Sequence, residues 1–111
     1  MNLTLDLEWS KKLKAAGIEG ESEFVTFLIW GKWVIETRKV FEKCVMDGME
    51  YYNAYSLEEL LDMVEGNWGL LCHRGIYRCT CFRNNAFTPF ANADPKIAVV
   101  EAILWQKGEG R

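Results

Sequence analysis

Hydrophobic and polar positions change period several times along the chain, and those changes divide it into elements. Leu5, Trp9, Leu13 and Ala16 recur at helical spacing, with Asp6 and Glu8 early and Lys11, Lys12 and Lys14 late. With Gly17 suited to a left-handed stop, the spacing predicts a helix over 6–16 whose lysines complement its dipole. An acidic segment, Glu19 to Glu23, reads as a solvated joint. From Phe24 the period drops to two: FVTFLIW, a Gly31-Lys32 turn and WVIETRKVFEK predict a hairpin. Its first strand is apolar on both sides, with Phe24, Leu28 and Trp30 against Val25, Phe27 and Ile29, so it is either covered twice or offers one face to a partner. Its second strand sets Trp33 and Ile35 against Val34, Glu36 and Arg38, which leaves one side for water. Asp47-Gly48 then predicts a further hairpin joining KCVM to MEYYNAY.

Ser56, Leu57, Glu58 and Glu59 fit a capping box, and Leu57, Leu60, Leu61 and Val64 follow at helical spacing before Gly66. Trp68 to Phe82, WGLLCHRGIYRCTCF, predicts a hairpin turning at Arg74-Gly75. That turn pairs His73 with Ile76, Cys72 with Tyr77, Leu70 with Cys79 and Trp68 with Cys81. One face then collects Trp68, Leu70, Cys72, Tyr77, Cys79 and Cys81 as a core side, and the other collects Leu71, His73, Ile76, Arg78, Thr80 and Phe82. NNAFTPFANA reads as a long loop with an apolar tip. Asp94 as N-cap with Pro95 at the first position opens a last helix, KIAVVEAILW, apolar on most sides and therefore buried. The order is α-β-β-β-β-α-β-β-α. It predicts an α+β fold with a mainly antiparallel sheet of five to six strands and three helices, in a single domain over 1–111.

Composition changes this picture little. A chain of 111 residues, half of them hydrophobic and including five tryptophans, buries a core without staples. Its net charge of -3 speaks against a phosphate-tracking nucleic-acid binder. The N-terminal residues lack the order of a signal peptide and no apolar run reaches membrane-spanning length, so the four cysteines are expected to be reduced in a cytoplasm.

The chemistry-bearing residues converge on no reaction. Cys72, His73, Cys79 and Cys81 are zinc-ligand types, but Cys72 and His73 point to opposite faces of one strand and no C-x₂₋₄-C knuckle is present. The same geometry separates Cys72 from His73 as a nucleophile and base, and nothing points to Cys44 with His73. No phosphate loop, dinucleotide fingerprint, nucleophile elbow or H-E-x-x-H occurs. The expectation is a protein with no enzymatic activity, no catalytic residue, no cofactor and no metal. Three surfaces are candidates for binding: the aromatic segment Phe87, Pro89 and Phe90, the acidic stripe Glu58, Asp62 and Glu65, and any uncovered face of the strand Phe24 to Trp30. Tyr51, Tyr52 and Tyr55 are expected to pack across strands, with base stacking as the alternative.

Three segments carry a resemblance: LEWSKKLKAAGI followed by ESEF, SLEELLDMV, and ADPKIAVVEAILW. With them the chain resembles small uncharacterised proteins encoded by phages and prophages of Gram-positive bacteria. That resemblance implies a small accessory protein of the host cytoplasm that binds a host protein or complex, while the charge and the lack of a long apolar run separately predict no nucleic-acid and no membrane partner. Inhibition of a host defence system, in the manner of an anti-CRISPR protein, is the function it suggests, with homodimerisation as a further expectation. Two alternatives stand beside it: a small-ligand binder that sequesters a nucleotide signal, and a cysteine-dependent enzyme or metal-binding protein.

Overall fold

The structure, a computed structural model, describes residues 3–83 and 86–108, without the side chains of residues 83, 86 and 87. It is α+β, with ten elements that divide between two compact units, Asn2–Ser56 and Leu57–Arg111.

The first unit is built on an antiparallel sheet ordered β2-β1-β3, formed by β1 (Phe24–Ile29), β2 (Lys32–Thr37) and β3 (Tyr51–Ala54). Strand β1 is central, and Val25 and Phe27 on one of its faces pack with Phe41, while Ile29, Val34 and Met49 close the margin of that core. The turn between β1 and β2 is Trp30-Gly31, one residue earlier than expected from Gly31-Lys32. Ile29 pairs with Lys32, and both turn residues take positive φ, 49° and 74°. Helix α1 (Leu7–Ala15) starts after Asp6 and buries Leu13, with Leu5 buried just ahead of it. Trp9, which shares the apolar spacing of Leu5 and Leu13, is only half-buried, with the Lys12 ammonium 4.1 Å from its ring centroid.

Two predictions fail here for one reason. The segment after Thr37 does not continue as a strand but forms helix α2 (Arg38–Cys44). Thr37 caps it through a side chain that accepts from the Val40 N–H at 3.4 Å, and burial of Phe41 holds it down. Consequently Asp47-Gly48 connects a helix to β3 instead of two strands, and β3 pairs with β1. There are thus four helices where three were expected.

The second unit holds an antiparallel sheet ordered β4-β5-β6, from β4 (Asn67–His73), β5 (Ile76–Arg83) and β6 (Ala86–Asn92). The hairpin β4–β5 has the register expected from Arg74-Gly75, from His73↔Ile76 to Trp68↔Cys81. The expected loop after it is instead the edge strand β6, paired with β5 from Tyr77↔Asn92 to Arg83↔Ala86. Pro89 is admissible there because an edge strand need not donate on both sides.

Helix α4 (Pro95–Gly108) packs against β5 and β6 and buries Ala98, Val99, Val100, Ala102 and Ile103. Asp94 caps it, accepting from the Lys96 N–H at 3.0 Å. Helix α3 (Leu57–Leu61) is shorter than its apolar spacing suggested, with Val64 buried beyond its end, and it packs on α4. Gln106 of α4 clips the chain after α3, accepting from the Glu65 N–H at 3.0 Å and donating to the Glu65 carbonyl at 2.8 Å. Among the described residues no helix is long and apolar enough to cross a membrane.

Candidate functional site

The β4–β5–β6 sheet has two unlike faces, and strand alternation dictates both. On the inner one Cys79 and Cys81 are buried beneath α4, Gln106 donates toward the Cys81 sulfur at 3.7 Å, and Phe90 meets Trp105 at 5.9 Å between ring centroids. Burial pushes the Cys79 thiol up to about 11, with the charge of neighbouring Cys81 adding to the effect, and burial raises Cys81 as well. Thiols held protonated in this way are packing groups and poor nucleophiles. Cys72 shares their face by register but lies at the end of β4, where it is exposed, as is Cys44 at the end of α2.

His73 follows Cys72 on the strand and therefore faces away from the buried sulfurs. Among the described residues no group of three or more histidine, cysteine or acidic side chains is close enough to hold a metal ion.

The outer face is open. Leu71 is 75 % exposed, Phe82 53 % and Ile76 43 %, and His73, Arg78 and Pro89 are exposed beside them. The register puts these six on one side: Leu71 opposite Arg78, His73 opposite Ile76, and Pro89 opposite Thr80. Exposed apolar side chains grouped on one sheet face make that face a candidate interaction surface.

Charge distinguishes this sheet further. The chain as a whole carries -3, yet from Asn67 to Ala93 it contains no aspartate or glutamate, while Arg74, Arg78 and Arg83 fall within that stretch. The acids of the same unit lie elsewhere, among them Glu58 on α3 and Asp62 and Glu65 just after it, all exposed. The exposed apolar face is therefore built by an acid-free stretch of an acidic protein.

The residues singled out from sequence are divided by this arrangement. Pro89 lies on the open face; Phe87 pairs with Phe82 in the register, and its side chain is outside the described residues. Phe90 turns inward and is half-buried against α4, so it does not share one exposed tip with Pro89. Strand β1 is a core strand through Val25, Thr26 and Phe27, and the exposed apolar groups near it are Trp30 in the turn and Trp33 and Ile35 on edge strand β2. Leu71, Ile76 and Arg78 were legible as one half-exposed face of the hairpin. Missing was a third strand to widen that face, and the absence of acids from the whole stretch was the available signal. Tyr51 and Tyr52 pack across elements, Tyr51 on Phe41 at 4.9 Å and Tyr52 beside Trp33 at 6.0 Å.

No protein-family model matches the chain, and no curated protein or solved structure is significantly similar to it.

Proposed function

We propose that this chain is a non-enzymatic binding protein that recognises a protein partner through the outer face of β4–β5–β6. The observation that carries this reading is the exposed cluster Leu71, Ile76, Phe82 and Pro89, with Arg78 and His73 among them and no acid in the surrounding sheet. Apolar side chains supply the area that is desolvated on binding, and the cations set register and steer approach. The matching partner surface is apolar at its centre and rimmed by carboxylates. A nucleic acid fits less well, because the face is more aliphatic than aromatic and its few cations do not form a phosphate-following row. Nor does a second copy fit: joining two acid-free surfaces leaves the arginines without opposite charges to pair.

The resemblance to phage and prophage proteins gives this reading a setting. We infer an accessory protein made in a bacterial host cytoplasm, whose partner is a host protein, with a defence complex of the CRISPR kind as the first candidate. The acidic stripe Glu58, Asp62 and Glu65 is a separate surface of the same unit and belongs to a second contact if the partner is a complex.

Affinity purification from the bacterial host with wild type, Leu71→Asp and Arg78→Glu tests the proposal. Recovery of one stoichiometric protein by wild type, lost with Leu71→Asp and made salt-insensitive and weak by Arg78→Glu, is the expected result. Equal recovery by all three folded proteins, recovery of nucleic acid alone, or recovery of nothing overturns it.

A further inference from the structure

Beside β3, within the unit Asn2–Ser56, α1, the segment following it and β3 wall a hollow of about 360 Å³. That volume stands near the small end of the roughly 300–1,000 Å³ spanned by small-molecule sites. Its polar groups are unusual in what they leave unused. Ser10 is 2 % exposed, and its hydroxyl has no hydrogen-bond partner among the described residues, whereas nearly all buried polar atoms in folded proteins are satisfied. Asn53 accepts through Oδ1 from the Arg38 guanidinium, while the single proton of the neighbouring Ser22 hydroxyl goes to the Phe24 carbonyl. A guanidinium only donates, so the oxygen is fixed toward Arg38 and the amide N–H₂ is left as a donor without a partner among the described residues. The Lys14 ammonium stands 5.3 Å from the Tyr51 ring and 5.1 Å from the Tyr52 ring and makes no ion pair among the described residues.

An ammonium, an amide N–H₂ and a hydroxyl converging on one hollow form a donor set for a compact anion. Tyr51 and Ile18 add a flat and an apolar wall, and aromatic side chains beside a cation suit a planar ring. Glu19, also lining the hollow, is its one anionic acceptor; it disfavours a bare polyanion and favours a ligand that brings an N–H as well. We propose that this hollow is a binding site for a nucleoside monophosphate, with the phosphate held by Lys14, Ser10 and Asn53, the base against Tyr51, and an N–H of the base donated to Glu19. The hollow is lined by residues of one unit and the protein-binding reading rests on a sheet face of the other, so Leu71→Asp alters none of the lining residues.

Titration of the full chain with adenosine and uridine monophosphates, followed by amide and side-chain NMR and by thermal melting, tests it. Adenosine and inorganic phosphate serve as the separate halves of the ligand. Expected are a raised melting temperature and resonance shifts centred on Ser10, Lys14 and the Asn53 side chain, with each half binding about tenfold or more weakly than the nucleotide. Ser10→Ala distinguishes a site from a packing flaw. It is expected to raise the melting temperature of the free protein, because it deletes an unsatisfied buried hydroxyl, and to weaken the nucleotide about tenfold; Lys14→Gln is expected to weaken it as much. Absence of shifts with both nucleotides at millimolar concentration, or binding unchanged in both variants, overturns the proposal.

Discussion

Lys96 shows how a single position ties local chemistry to packing. It is 2 % exposed at the start of α4, with its ammonium 3.1 Å from the Asp94 carboxylate that also caps the helix. Removing the carboxylate costs a cap and an ion-pair partner for a buried cation together, whereas removing the cation spares the cap. Asp94→Ala is therefore expected to destabilise the fold by about 3 kcal/mol or more, and Lys96→Met by far less, as denaturant unfolding will measure. The cysteines give a second check at this scale. Cys44 and Cys72 are exposed and are expected to react at once with a thiol reagent in the native protein, while Cys79 and Cys81 react only on unfolding. A thiol whose pKa is higher folded than unfolded binds its proton more tightly in the fold. Its contribution is thus complete below the ordinary thiol range and is lost as pH rises from there toward about 11 for Cys79. Tyr52, raised chiefly by its hydrogen bond to Glu50, acts in the same direction. Melting temperature is accordingly expected to fall in alkali, less steeply in Cys79→Ala than in wild type.

At the scale of elements, the turns carry the clearest energetic asymmetry. Trp30 takes φ 49° and is 91 % exposed, so the first hairpin turns through a bulky residue in the left-handed region, where asparagine or glycine is at ease. Trp30→Asn is expected to stabilise the protein by about 1 kcal/mol in denaturant unfolding, since it relieves that conformation and removes no buried contact. The same elements show which parts of the fold the sequence carries openly. Arg74-Gly75 flanked by alternating strands determines the β4–β5 register residue by residue, because turn length and face pattern agree there. Asp94-Pro95 likewise marks the start of α4, where cap and ring geometry are local properties. Helix α2 was hidden because WVIETRKVFEK keeps a strand-like alternation through Arg38, and only the Thr37 cap and the burial of Phe41 divert the chain into a helix. Strand β6 was hidden for the opposite reason. Thr88, Pro89 and Asn92 have loop character, and pairing with β5 overrides it.

Taken whole, the chain carries two three-stranded sheets in two compact units, and the two surfaces proposed for binding divide between them. The candidate residues were less legible than the fold because exposure depends on which strands pair. Pro89 and Phe90 are adjacent in sequence, but a strand sends their side chains to opposite sides. Leu71, by contrast, gains its significance only when β6 extends the sheet around it. Site-specific photo-crosslinking in the bacterial host tests the central claim most directly, with a benzophenone amino acid placed at Leu71 and, as control, at Glu42, an exposed position on α2. A single protein adduct from position 71 that Arg78→Glu abolishes, with none from position 42, is the expected result. Equal adducts from both positions, or none from position 71, would contradict the assignment of the open sheet face as the surface by which this protein acts.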